Sequence, residues 1–183
     1  MKRTPDLIET ARSQWQEARP DLDTTSIDVI GRILRAAVVL RQRLDAAFAD
    51  EGLNRAEFDL LCALRRTGAP VTPGRLSELT VSSGAATTKR VHQLTERGLL
   101  ERTTDERDRR SARILLTEHG REVIDRAFTR NIEAEKHLLS ALSSRRRESL
   151  AGGLADLLRT LEGSSDPASL TAGVRDDPTT DEG

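Results

Sequence analysis

Lys89, Gln93, Arg109 and Arg110 are the residues of this chain whose types and spacing fit contact with a nucleic acid. They fall in SSGAATTKRVHQLTERGLLERTTDERDRRSARILLT, which runs from Ser82 to Thr117. If Val91 and Leu94 form the buried side of a helix, 100° per residue turns Ser82, Ala86, Lys89 and Gln93 outward. That face offers small residues for close approach, a cation for phosphate, and an amide able to read a base edge. Ser82 or Ser83 caps the helix, and both belong to the candidate contact set. Arg109 and Arg110 follow in the knot DERDRR, where guanidinium groups at a hairpin tip can enter a narrow minor groove. Asp108 can hold one of them through a bidentate pair. The bland alternative is a solvated helix face followed by a charged turn.

The same stretch carries a second arginine pattern. Arg90 lies about 100° from Lys89, on the flank of the helix, and can point into the body of the protein. Together with Arg102 it could hold a small planar or polycarboxylate anion through paired hydrogen bonds.

The surrounding elements must position these groups. Residues 6 to 19 read as a short helix with Leu7, Ile8, Ala11 and Trp15 on one face. After the turn RPDLDTTS comes IDVIGRILRAAVVLRQRLDAAFADEG, a helix ending near Gly52 with a stripe of Ile30, Ile33, Leu34, Ala37, Val38, Leu44 and Phe48. NRAEFDLLCALRRTG starts at an Asn54 cap and stops at Gly68. TPGRLSELT is a short helix with Thr72 as cap and Pro73 at its first position. The helix after Ser83 stops at Gly98, so the pair reads as a helix-turn-helix. LLERTT and SARILLT read as two strands of a hairpin wing. Thr117 then caps a long helix from about Glu118 to Leu161, with a possible break at SSRRRES.

Composition narrows the function classes. Aromatic residues make up 2% of the chain, so the core must come from Leu, Ile, Val and Ala, which suits helices. The net charge of -1 looks wrong for a nucleic-acid binder. However, the last segment holds Asp166, Asp176, Asp177, Asp181 and Glu182 against Arg175, so the remainder is net positive. No apolar run approaches the ~20 residues of a membrane span. MKRTPDLIETARSQW lacks the apolar centre of a signal peptide, and a cytoplasmic location is expected. Cys62 is the single cysteine, which excludes an internal disulfide and a Cys-based zinc site. It sits among apolar residues, as a buried core thiol or as a redox sensor. His92, His119 and His137 have no supporting nucleophile motif, so no catalytic residue, metal ligand or cofactor is assigned.

The order helix, helix-turn-helix, ERGLLERTTDERDRRSARILLTEHG, long helix resembles the MarR family of winged-helix regulators, over about Ile27 to Leu161. The resemblance implies a mainly α fold with a small β-wing, a winged helix-turn-helix flanked by long N- and C-terminal dimerisation helices. It implies a homodimer whose two wings grip a pseudo-palindromic double-stranded DNA operator. The domain division expected from it is an extra helix and turn over 1–24 and the regulator proper over 25–162, with its DNA-binding part at about 54–117. A disordered acidic tail would occupy 163–183. The added helix with its Trp, RPDLDTTSIDVIGRILR and EFDLLCALRR are similar to the PecS-like branch, which includes urate-responsive and trans-aconitate-responsive regulators. In that branch an anion pocket is formed by a Trp, an Asp and two Arg, and the matching positions are Trp15, Asp59, Arg90 and Arg102. Trp15 would cover a flat ring, while Asp59 would accept an N–H or hold an arginine when the site is empty. A Trp used as a core anchor and an Asp–Arg structural bridge are the plainer readings of the same residues.

The function expected is therefore a transcriptional repressor, not an enzyme, released from its operator by a small anionic metabolite. Either a urate- or purine-like molecule or a trans-aconitate- or citrate-like one would serve. The alternative is a redox- or zinc-responsive regulator of the same type.

Overall fold

The computed structural model describes residues 4–80, 82–104 and 112–163, and eight helices and two strands lie among them. The chain divides into two compact units between Glu135 and Lys136.

In the first unit, α1 (Leu7–Ala18) starts on an Asp6 cap and lies along α2 (Ile27–Leu44). Asp6 accepts from Arg32 Nε at 2.9 Å, and Asp28 pairs with both Arg12 and Arg32. Gly31 makes this approach possible, because a Cβ there would stand 3.0 Å from Ile8 Cγ2. The continuous helix expected to Gly52 is interrupted at Asp45 and followed by the short α3 (Ala46–Ala49). The break turns Phe48 fully into the core, stacked on Phe58 with centroids 4.5 Å apart. The rest of its stripe does not follow: Ile30, Leu34 and Val38 are exposed, and no α2 residue is buried by this single copy.

α4 (Arg55–Thr67) opens with a reciprocal capping box. Asn54 Oδ1 accepts from Glu57 N at 3.0 Å, and Asn54 N donates to Glu57 Oε2 at 2.9 Å. It ends at Gly68, whose positive φ suits a left-handed cap. α5 (Pro73–Leu79) is capped by Thr72, and α6 (Gly84–Glu96) by Ser83 Oγ on Ala86 N. The wing strands β1 (Leu100–Thr104) and β2 (Ala112–Leu116) pair antiparallel, with Arg102 opposite Ile114. Val71 adds an unforeseen bridge to Ile114, with two backbone bonds of 2.9 Å, which ties the α4–α5 connection to the wing. The core is aliphatic apart from the Phe48–Phe58 stack: Leu60, Leu61, Leu76, Leu94, Leu100, Ile114 and Ile124 are all essentially inaccessible.

α7 (Glu118–Leu138) is capped by Thr117, whose Oγ1 accepts from Gly120 N at 2.9 Å. The long helix expected to Leu161 ends earlier, at Leu138, and α8 (Ser144–Gly163) begins after a turn. The break thus lies just before SSRRRES, because SRRRES already forms the first turns of α8. In the second unit, Leu150, Leu154, Leu158 and Leu161 form an exposed stripe on α8. The residues expected to form the acidic tail lie outside the described residues from 164 onward.

Candidate functional site

α5 and α6 form the expected helix-turn-helix. Thr87, Val91 and Leu94 are buried at 1%, 2% and 0% exposure, which fixes the inner side of α6. Lys89 and Gln93 are exposed, as the helical spacing predicts, and Ala86 is part-buried near the start of the helix. Among the described residues Lys89 takes part in no ion pair, so its charge is available to phosphate. The first turn of α6 carries no acidic residue, leaving the positive end of its dipole uncompensated. Ser82 is a correction. It precedes the helix, so helical spacing does not apply to it, and its Oγ accepts from Arg90 Nη1 at 2.7 Å instead of facing outward alone. Ser83, exposed, supplies the cap. Asp108, Arg109 and Arg110 lie outside the described residues.

Of the four residues expected to form an anion pocket, the structure places Asp59 on a cavity of about 420 Å³ between α4, the end of α5 and α7. Arg90 is half-buried and held by Ser82, while Arg102 is exposed on β1. Trp15 is 54% exposed in this single copy, so it does not anchor the chain's own core. Among the described residues no hydrogen bond or ion pair joins one of the four to another, and only Asp59 lines this cavity.

Asp59 is half-exposed with Arg55 Nη1 at 4.0 Å, yet burial raises its carboxyl above the ordinary value of 3.8, outweighing the neighbouring arginines. The folded protein therefore holds this proton more tightly than the unfolded chain. Above the raised value the carboxylate charge is a constant cost to folding. As pH falls through that value the cost is relieved, and it is gone below 3.8. Asp59→Asn is expected to melt higher than the parent at pH 7, with an advantage that shrinks on acidification and vanishes near pH 3. Thermal melts across that range check it; an equal or lower melting temperature at pH 7 would count against it. Cys62, beside Asp59, has its thiol pushed up to about 11 by burial. It is protonated at neutral pH and so a poor target for oxidants.

Two cavity residues were not foreseen. Arg55 lies over the rings of Phe48 and Phe58, at 4.6 and 5.6 Å, with Nε donating to Asp45 at 2.9 Å. Its Nη2 is buried and finds no acceptor among the described residues. Asn131 is 3% exposed; its Nδ2 donates to Glu135 Oε1 at 2.7 Å, and its Oδ1 is buried without a donor among the described residues. The signal available for Asn131 was its place on the buried stripe Val123, Ile124, Ala127, a polar residue at a core position. Arg65 closes one side of the cavity by a two-bond pair to Asp125, at 2.8 and 3.1 Å. Among the described residues no three His, Cys, Asp or Glu side chains converge as metal ligands.

The sequence model of the MarR family matches residues 51–111, which span the helix-turn-helix and the first wing strand. The chain is 35% identical over 139 residues to the HTH-type transcriptional regulator PecS of Dickeya dadantii (strain 3937), covering 75% of this chain and 84% of that protein. A probable transcriptional regulator from Pseudomonas aeruginosa has a similar structure, with 32% identity and a TM-score of 0.59 over 71% of this chain and 97% of that one. CouR from Rhodococcus jostii RHA1, solved bound to p-coumaroyl-CoA, shares the fold at 24% identity and a TM-score of 0.64, over 76% and 95% of the two chains.

Proposed function

The chain belongs to the MarR family of winged-helix transcriptional regulators, in its PecS-like branch, and from that premise we propose that it is a repressor released from its operator by a small anionic effector. It is a DNA-binding regulator and not an enzyme. In the proposed complex Lys89, Gln93, Ala86 and Ser83 meet the major groove, and the wing residues Arg109 and Arg110, steadied by Asp108, meet the minor groove. A second copy of the chain covers the apolar α2 stripe, giving a homodimer on a pseudo-palindromic site.

The observation that carries the effector reading is the cavity at Asp59. It is bounded by α4, which precedes the helix-turn-helix, by the end of α5 within it, and by α7. A molecule entering there acts on the helices that set the pose of α6. Trp15, Arg90 and Arg102 stay in the proposal as the branch's other pocket positions. Arg90 couples the two sides, because it lies next to Lys89 and holds the α5–α6 turn through Ser82. A purine-like anion and a tricarboxylate both fit this reading. The CouR structure with a ligand bound lends support, because it has the same fold. A redox-responsive regulator is less well supported, since the Cys62 thiol is raised rather than activated.

A coupling of 1–3 kcal/mol weakens operator binding by roughly 5- to 150-fold. A gel-shift series at constant salt with urate, xanthine, trans-aconitate and citrate tests it. Release by at least one ligand, lost in Arg90→Ala or Asp59→Asn, is expected. If no ligand changes the affinity and Arg90→Ala matches the parent toward all four, the effector reading fails.

A further inference from the structure

Part of the exposed side of α6 has little polar chemistry left to offer. Thr87, Val91 and Leu94 are buried, while Ala85, Thr88, Lys89, His92 and Gln93 are exposed. Thr88 Oγ1 donates to Gly84 O at 2.9 Å, one turn back along the helix. A hydroxyl has a single hydrogen, so Thr88 has none left for guanine O6 or N7, or for thymine O4. The methyl carbon Cγ2 is the part of the side chain that this bond leaves uncommitted. Further along, His92 Nδ1 lies 3.2 Å from Glu96 Oε2. That pair sits toward the C-terminal end of α6, whereas a recognition helix presents its N-terminal residues to base edges. Ala85, three residues before Thr88 and its neighbour on the helix surface, has no atom beyond Cβ, so a base edge can come close to Thr88.

We infer that Thr88 is a specificity-determining residue of the DNA interface, its Cγ2 methyl packing on the 5-methyl group of a thymine in the major groove. The inference rests on the DNA contact proposed for α6 and adds a residue that reads sequence without a hydrogen bond. Thymine is the only standard base with a methyl group on its major-groove edge. Cytosine carries a hydrogen at the same ring position, so covering the methyl separates T·A from C·G. A threonine whose proton is spent matches that edge through carbon, while Lys89, the next residue, has the charge for a phosphate beside it.

Duplexes enriched by the full-length parent from a random DNA library supply the probe. In the enriched sequence each thymine is replaced in turn by deoxyuridine, which lacks the 5-methyl group and keeps every hydrogen-bonding group. Gel shifts at constant salt then compare the two kinds of duplex for the parent, Thr88→Ser and Thr88→Val. At one thymine of a half-site the parent is expected to lose about fourfold in affinity, the effect of uncovering a single methyl group. Thr88→Val keeps a methyl and loses the oxygen, and should show the parent's preference. Thr88→Ser keeps the hydroxyl and loses the methyl, and should bind both duplexes equally. The deoxyuridine arm uses the parent alone, so it stays informative even if a variant folds poorly. A parent that senses no thymine methyl overturns the inference. So does a parent-like preference in Thr88→Ser, which would assign the effect to duplex shape, or its loss in Thr88→Val, which would assign it to the oxygen. Each of those leaves the α6 contact standing. If no duplex is enriched, the inference falls together with that contact.

Discussion

Gly120→Ala is expected to destabilise the protein by about 4 kcal/mol or more, the range reserved for a named structural fault. A Cβ on Gly120 would stand 2.0 Å from the carbonyl oxygen of Leu99 and 2.9 Å from its carbon. The obstacle is backbone, and that backbone cannot move aside. Leu99 is buried, its N donates to Leu94 O at 2.9 Å, and its O accepts from Thr117 N at 3.1 Å. It is also the joint between α6 and β1, so the clash falls where the second helix of the helix-turn-helix meets the wing. Urea unfolding followed by circular dichroism should show a large drop in midpoint, and operator binding should fall with it. Gly152→Ala is the control. No atom lies within 4 Å of that Cβ in α8, and replacing a helical Gly should gain up to about 1 kcal/mol. A Gly120→Ala protein that unfolds with the parent would sink this account.

Arg97→Ala should cost about 2–3 kcal/mol, somewhat less than the 3–5 of a fully buried pair because Arg97 is about a third exposed. Its Nη1 donates to Glu57 Oε1 at 3.2 Å, and its Nη2 donates to the carbonyls of Gly52 and Glu51 at 3.0 and 3.5 Å. Glu57 has a side chain only 9% exposed, and its other oxygen accepts from Asn54 N in the α4 capping box. Removing Arg97 leaves that carboxylate buried without its counter-ion. It also frees the C-terminal end of α6 from the α3–α4 junction, so operator affinity should fall as well. A double-mutant cycle checks the cause. Glu57→Gln alone should be harmful, but in the Arg97→Ala background it should recover part of the loss, with a coupling of about 1 kcal/mol or more. Additive effects of the two changes would show that the pair is incidental.

Both predictions explain letters of the pattern ERGLLERT…LTEHG that drew attention in the sequence. Arg97 is there for Glu57, Gly98 for a positive φ of 69° after α6, and Gly120 for the approach to Leu99. The pattern marks a joint between helix, wing and α7, while the residues proposed to contact DNA, Lys89 and Gln93, sit beside it. Reading direction from spacing succeeded for Lys89, Gln93, Val91 and Leu94, which lie inside α6. It failed for Ser82, which precedes the helix and bonds to Arg90.

The sequence by itself determined where most segments start and which face of α6 turns inward. Asn54, Thr72 with Pro73, Ser83 and Thr117 mark helix starts, and Gly68 and Gly98 mark helix ends, because caps and left-handed turns are settled by residues within one turn of each other. Only the tertiary structure decided that Phe48 leaves the α2 stripe for the core, that Trp15 stays exposed, and that Asp59 shares a cavity with Asn131 and Arg55. The physical reason is separation along the chain. Arg97 meets Glu57 across 40 residues and Arg65 meets Asp125 across 60, and which buried polar atoms remain unpaired is known only after such partners have been found.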